Sequence, residues 1–272
     1  MAAMPNASWL GARRRTAVAL CVLVAVLVPA APTWAHHRTP AQLAQPAPLP
    51  RLNDLLTGLL TALFPPAGEG GVAPTVQQRV AASTVRVAGP DCTGVRVGSG
   101  FAARQNLVVT AAHVVAGVTG PEVIRPDGRR LAATVVAFDA DKDLAVLRVG
   151  NLGQAPLGLG RPVAATQGAV FGYPGGQPQV EVSPASIVAT APVRIDNLYG
   201  QVVSRQIIRL NSRLAPGDSG GALVDSAGTV VGVAFAVATL RPDVAYAVST
   251  SELEPMLAST SADAVSTGRC IS

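Results

Sequence analysis

The chain has 272 residues, of which 21 are Lys or Arg, 16 are Asp or Glu and 4% are aromatic. A chain of this length can bury a sizeable core in one or two domains. Three of the basic residues, Arg13–Arg15, lie in a segment that we expect to be removed, which leaves 18 basic against 16 acidic residues. This near balance, without a long basic cluster, excludes nucleic acid as an expected partner.

Residues 1–35 are typical of an export signal. Arg13–Arg15 precede an unbroken apolar run from Ala17 to Val28, and the small-residue site Thr33-Trp34-Ala35 follows. Even if it is extended to Ala31, a run of about 15 residues forms a helix of about 22 Å, shorter than a hydrocarbon core of about 30 Å. We therefore expect a cleaved signal and an exported, periplasmic or extracellular protein, with an uncleaved membrane anchor as the alternative.

Residues 36–75 are interpreted as a linker rich in Pro and Ala that contains one helix. His36 and His37 have no third metal ligand nearby, so exposed polar side chains are the better interpretation of this pair. Leucines at helical spacing predict an amphipathic helix over residues 51–64, which we expect to pack on the protein or on a partner rather than on a membrane surface. These leucines are Leu52, Leu55, Leu56, Leu59, Leu60 and Leu63.

From residue 76 the pattern changes to short apolar runs bounded by Gly, Pro and Asp, which is typical of an all-β domain. The first six predicted strands are Val85–Val87, Val95–Ala102, Leu107–Thr110, Val123–Ile124, Leu131–Phe138 and Leu144–Val149. The second six are Ala169–Gly172, Val180–Val188, Val202–Leu210, Ala222–Val224, Val230–Ala238 and Ala245–Val248. The turn signals recur as in an all-β barrel or sandwich, with two six-strand halves over about residues 76–152 and 153–250, and we expect a short terminal helix at about Ser251–Ala258.

The run Gly217-Asp218-Ser219-Gly220-Gly221 has a chemical interpretation as well as the alternative of a tight turn. Flanking glycines allow the backbone amides of Gly217 and Ser219 to converge on one point, where they would stabilise the oxygen of a tetrahedral intermediate. A serine hydroxyl also needs an adjacent base, and His113 is the one histidine between residue 38 and the end of the chain. His113 is therefore predicted to be the general base for the nucleophile Ser219.

A third residue, a carboxylate, has to orient the imidazole. Asp139, Asp141 and Asp143 all lie in the right interval, but Asp143 directly precedes the apolar run Leu144–Leu147 and so stands at the start of a strand. We predict that Asp143 is the catalytic carboxylate and that Asp139 and Asp141 are exposed loop acids.

The motifs Thr110-Ala111-Ala112-His113-Val114 and Gly217–Gly221 resemble those of the trypsin-like (chymotrypsin-fold) serine proteases. Within that family the chain is similar to the exported HtrA/Deg branch, and to the membrane-anchored periplasmic acid-resistance proteases typified by MarP. This closer similarity rests on Ala112–Gly117, Phe171–Gly176 and Cys270–Ser272, and the resemblance extends from about Ala73 to the C-terminus. It implies two six-stranded antiparallel β-barrels and a protein or peptide substrate.

The resemblance also implies a substrate pocket. In trypsin-like folds the residue six before the nucleophile, here Arg213, lies at the base of this pocket. An inward guanidinium would favour an acidic P1 side chain, whereas an outward one would leave an apolar pocket made by Leu214 and Phe235. A substrate strand would pair with Val233–Val237. Asp218 departs from the Asn usual in HtrA relatives, and its role stays open.

Two other functions compete with an exported endopeptidase: a pseudoprotease that binds peptides, and an esterase that uses the same triad. The complete His, Asp and Ser set argues against the first, and the absence of a Gly-x-Ser-x-Gly elbow argues against an α/β-hydrolase esterase. No cofactor or metal is expected, and the sequence does not indicate an oligomeric state. Cys92 and Cys270, the two cysteines left after the signal, predict a disulfide that ties the C-terminal tail to the first barrel.

Overall fold

The computed structural model describes residues 71–238 and 241–271. Helix α1 (Pro74–Ser83) opens this part of the chain, α2 (Ala112–Val115) is a single turn within the first half, and α3 (Thr250–Ala258) follows the last strand. The predicted signal, the linker, the helix over residues 51–64, His36 and His37 lie outside the described residues.

The first half of the described chain forms a closed antiparallel barrel. Its strand order is β1-β2-β3-β6-β5-β4, and β4 pairs back onto β1. The strands are β1 (Thr84–Pro90), β2 (Val95–Arg104), β3 (Leu107–Thr110), β4 (Glu122–Ile124), β5 (Arg130–Asp139) and β6 (Leu144–Val149).

The second half repeats this arrangement in the order β10-β11-β12-β9-β8-β7, and β7 pairs with β10 to close the barrel. Its strands are β7 (Thr166–Gly172), β8 (Glu181–Asp196), β9 (Val202–Asn211), β10 (Ala222–Asp225), β11 (Val230–Ala238) and β12 (Arg241–Ser249). The prediction of two six-stranded antiparallel barrels is therefore confirmed. Because both barrels are closed, each strand pairs with a neighbouring strand on both sides.

Apolar side chains form three buried clusters, and one of them joins the barrels. Val85 and Leu147 belong to the cluster inside the first barrel, and Ile208 and Leu223 to that inside the second. The third cluster includes Phe101 from β2 and Phe171 from β7, so it fills the space between the two barrels. Burying a Val, Leu or Phe side chain stabilises the folded state by about 1.5–3 kcal/mol, so this shared cluster holds the two halves in a fixed relation.

Both longer helices pack on this shared cluster. Val76 and Val80, one helical turn apart, point from α1 toward it, and Leu253 and Leu257 do the same from α3. Helix α3 begins where the Ser249 hydroxyl accepts a hydrogen bond from the Ser251 amide. The pattern of the sequence predicted α3 but not α1.

All twelve predicted strands overlap the observed ones, and the largest difference is the length of β8. The apolar pattern predicts that this strand ends at Val188, whereas β8 continues to Asp196 in a hairpin with β9. Residues 189–194 are exposed on both faces, so no alternation of apolar and polar residues marks them. None of the helices in the described ranges is long and apolar enough to cross a membrane.

Candidate active site

His113 and Asp143 meet at one end of the first barrel. His113 lies in α2, directly after β3, and Asp143 ends the turn between β5 and β6. The Asp143 carboxylate oxygens lie 2.9 and 3.1 Å from Nδ1 of His113, and one of them also accepts the His113 backbone amide at 2.9 Å. The carboxylate is 3% exposed and the imidazole 23% exposed. Asp143 thus fixes both the ring and the backbone of His113.

Ser219 lies in the loop between β9 and β10 and is held against the first barrel. Its carbonyl accepts the backbone amide of Ser99 at 2.8 Å. The next residue, Gly220, has a φ of +88°, and a Cβ there would lie 2.9 Å from the backbone nitrogen of Ala111, two residues before His113. A glycine is required at this close approach, which brings the serine loop to the segment that carries the histidine.

The peptide groups around Ser219 are oriented by hydrogen bonds on their carbonyl side. The Pro216 carbonyl accepts from the amide of Gly175, in the turn Pro174–Gly176, at 2.7 Å, and the Asp218 carbonyl accepts from Gly221 at 2.9 Å. Because C=O and N–H of a trans peptide point in opposite directions, the amides of Gly217 and Ser219 face away from these partners. Neither amide donates to another group in the part of the chain that the structure describes.

Ser99 on β2 is a site residue that the sequence analysis missed. It is fully buried, and its hydroxyl donates to the Gly217 carbonyl at 2.6 Å and accepts from the Tyr173 amide at 2.8 Å. Its own carbonyl accepts from the Thr110 hydroxyl. With the bond to Ser219, the polar atoms of Ser99 connect the first barrel to both loops that shape the serine site. Its position in Gly98-Ser99-Gly100, between two glycines in a strand, was the available signal.

Asp218 is buried directly beside Ser219. It is 3% exposed, and its carboxylate accepts the Ala215 amide at 2.8 Å. Burial raises the pKa of this carboxyl to about 6; the Ala215 hydrogen bond opposes the change and the nearby charge of Glu181 adds to it. No cation pairs with this carboxylate within the described ranges.

A pocket of about 160 Å³ opens beside Ser219. One wall is residues 214–216 and the other is residues 234–237 of β11, so Leu214 and Phe235 both line it. Arg213 is exposed and is not part of the lining, which corresponds to the outward orientation that the sequence left open. The walls are apolar apart from the backbone, Ser219 and the buried Asp218.

The C-terminal tail crosses the first barrel and ends near the histidine. Cys270 forms a disulfide with Cys92 in the loop between β1 and β2, which confirms the predicted pairing. Arg96 strengthens this attachment, because its guanidinium donates to the carbonyls of His113 and Ile271 and pairs with Asp91. The tail is therefore fixed next to α2.

The acids of the Asp143 turn have distinct surroundings. Asp141 is exposed, as predicted, whereas Asp139 is half-buried and its carboxylate accepts the amides of Asp141 and Lys142.

Across the described residues, no three His, Cys, Asp or Glu side chains are grouped as metal ligands.

Sequence comparison with known proteins matches this chain to one family. The sequence profile of the trypsin-like peptidase domain matches residues 92–233. Serine protease Rv3671c of Mycobacterium tuberculosis (strain H37Rv) is 33% identical over 241 residues, which are 82% of this chain and 60% of that protein. Serine protease Do-like HtrA of Lactococcus lactis subsp. cremoris is 30% identical over 50% of this chain and 35% of its own length. The chain thus spans less than two thirds of these relatives.

Solved structures give the same result. The active form of the Rv3671c protease from M. tuberculosis is 31% identical, with a TM-score of 0.70 over 72% of this chain and 89% of that one. Its inactive form has a TM-score of 0.59 at 30% identity, over 67% of this chain and 91% of that one. The HtrA-type protease AlgW with a tripeptide has a TM-score of 0.60 at 27% identity, over 67% of this chain and 62% of that one. The chain belongs to the trypsin-like serine proteases.

Proposed function

We propose that this protein is an exported serine endopeptidase that cleaves peptide bonds through an acyl-enzyme intermediate. His113 is the general base, Asp143 orients it, Ser219 is the nucleophile, and the amides of Gly217 and Ser219 form the oxyanion hole. The observation that carries the proposal is that the buried Asp143 carboxylate contacts Nδ1 of His113 and accepts a hydrogen bond from its backbone amide. Such a contact holds the tautomer in which Nε2 can accept a proton.

The chemistry follows from these roles. His113 Nε2 takes the proton of the Ser219 hydroxyl as its oxygen bonds to the substrate carbonyl carbon, and the carbonyl electron pair moves to the oxygen. The Gly217 and Ser219 amides stabilise that oxyanion. When the pair returns, the C–N bond breaks and His113 donates the proton to the leaving amine. Water then attacks the acyl-enzyme by the same sequence and releases the acid and the free serine.

The substrate is a protein or peptide with a small or medium apolar P1 side chain. The pocket beside Ser219 is small and its walls, residues 214–216 and 234–237, are apolar. Because Arg213 is exposed and does not line the pocket, its guanidinium does not attract an acidic side chain there. The substrate backbone would pair with β11 next to the pocket.

Export is supported by the signal-like N-terminal sequence and by the disulfide between Cys92 and Cys270. Disulfides persist in oxidising compartments outside the cytoplasm. Membrane tethering through an uncleaved signal segment is the alternative state of the same protein.

Labelling with a fluorophosphonate probe tests the nucleophile. We expect covalent labelling of the oxidised wild-type protein, none of Ser219→Ala, and normal labelling of Ser226→Ala, an exposed serine that serves as the matched control. Peptide-library cleavage then reads the P1 preference. A wild-type protein that is folded but unlabelled would indicate the pseudoprotease instead.

Substitution of the acids tests the assignment of the triad. Asp143→Asn should lower kcat by about 10⁴-fold, because the amide stabilises the wrong imidazole tautomer. A larger loss for Asp139→Asn or Asp141→Asn would mean that another carboxylate orients His113.

A further inference from the structure

Arg205 on β9 is a buried cation that the proposed chemistry does not use. It is 2% exposed, and burial lowers the pKa of its guanidinium. A charge in this position is costly unless its N–H groups find partners and opposite charges lie close. The partners of Arg205 therefore indicate what the residue does.

The guanidinium lies between the Asp143 turn and the substrate pocket. Its Nε donates to the carbonyl of Asp141 and its Nη2 to the carbonyl of Asp196 at 3.3 Å. On the pocket side, its central carbon lies 5.8 Å from the ring centroid of Phe235, which lines the pocket. Arg205, from the second barrel, thus holds a turn of the first barrel two residues before Asp143.

The Asp143 turn needs such a hold. Asp143 has a φ of +56°, a left-handed conformation that is uncommon outside glycine, although Asp tolerates it better than most residues. Within the turn, the Asp139 carboxylate accepts two amides, and the β8–β9 hairpin supplies further contacts. The side chain of Asn197 donates to Asp141 at 2.6 Å, and the amide of Leu198 donates to the Ala140 carbonyl.

The charges around Arg205 agree with this placement. The negative charges that act on it are those of Asp143, Asp139 and Asp141 in the turn and Glu252 on α3. Lys142, the other cation of the turn, pairs with Glu252 at 3.0 Å and donates to the Ser204 carbonyl. Arg205 is therefore the buried counter-charge of a turn with three carboxylates.

We propose that Arg205 is a positioning residue of the hydrolytic site, which holds the turn at residues 139–142 so that the Asp143 carboxylate meets Nδ1 of His113. The inference rests on the proposed function, because it acts through the triad. Lysine at this position would keep the charge but lose the planar fork that reaches two carbonyls at once.

A double-mutant cycle tests this role. The rate constant of fluorophosphonate labelling is measured for the wild type, Arg205→Lys, Asp143→Ala and the double variant, with thermal unfolding to verify folding. We expect Arg205→Lys to slow labelling by about tenfold or more in the wild-type background and by less than about twofold in the Asp143→Ala background. Arg209→Lys, an exposed arginine on the same strand, is the control and should label normally.

Each other outcome decides against the inference. If Arg205→Lys lowers the labelling rate constant equally in both backgrounds, Arg205 has a purely structural role. If it does not lower the rate constant in either background, Arg205 has no role in the site. If Arg205→Lys does not fold, Arg205→Gln replaces it, because its amide can still donate to the Asp141 carbonyl; if neither folds, the residue is a folding determinant and the inference fails. A folded wild type without labelling would overturn the proposed function as well, whereas a labelled wild type with normal variants overturns the inference alone.

Discussion

The buried carboxylate of Asp218 should make the folded state sensitive to pH. Its pKa is raised from an ordinary value of 3.8 to about 6, chiefly because the group is buried. Between these two values the folded protein binds a proton that the unfolded chain releases, so the free energy of unfolding decreases as the pH rises. The loss is about 1.4 kcal/mol for each pH unit and about 3 kcal/mol in total, and it is complete above about pH 6.

Asp218→Asn should remove this dependence. The Asn side chain has the shape of Asp218 and can still accept the Ala215 amide, but it carries no charge. At pH 7.5 we expect the variant to be more stable than the wild type by about 1–3 kcal/mol, and at pH 4 to lie within about 1 kcal/mol of it. Urea unfolding in the Ser219→Ala background, which prevents self-digestion, measures both values.

The quantity to compare is the difference in free energy of unfolding between the wild type and Asp218→Asn at each pH. Other acids change the stability of both proteins with pH in the opposite direction. The Thr93 amide and Arg96 hold the pKa of the Asp91 carboxyl well below its usual range, so the contribution of Asp91 to stability is lost as the pH falls. That loss is common to the wild type and the variant. Asp263→Asn, which changes an exposed carboxylate, is the control, and its free energy of unfolding should vary with pH as that of the wild type does. An Asp218→Asn curve that is also parallel to the wild type from pH 4 to 7.5 would refute the reasoning.

Three further predictions concern the serine loop, the pocket and the disulfide. Ser99→Ala should lower kcat by about 10–100-fold with little change in KM, because it frees the Gly217 carbonyl beside the proposed oxyanion hole; an unchanged kcat would contradict this role. Phe235→Ala should admit larger P1 side chains in a peptide-library profile, whereas Arg213→Ser should leave the profile unchanged; a shift caused by Arg213→Ser would mean that its side chain reaches the pocket. Cys270→Ser should lower the free energy of unfolding by up to about 5 kcal/mol, the chain-entropy value for so long a loop; an equal urea midpoint for the wild type and the variant would exclude this contribution.

The strands and the two key motifs could be predicted because their signals are local. Short apolar runs bounded by Gly, Pro and Asp mark the strands of an all-β domain, and such runs located all twelve strands. The same logic failed where local signals are weak. Residues 189–194 of β8 are exposed on both faces, and α1 is stabilised mainly by packing of Val76 and Val80 on the shared cluster.

The sequence by itself predicted the candidate residues His113, Asp143 and Ser219 and the pairing of Cys92 with Cys270, and its resemblance to the trypsin-like serine proteases predicted the protein class and the two-barrel fold. The resemblance is carried by short motifs, and the candidate residues follow from residue type and spacing, which are local properties of the chain. Only the tertiary structure decided that Ser99 holds the serine loop, that Arg213 points away from the pocket, and that Arg205 reaches the Asp143 turn from the other barrel. Those contacts join residues far apart in sequence, and burial at the junction of the barrels determines their strength.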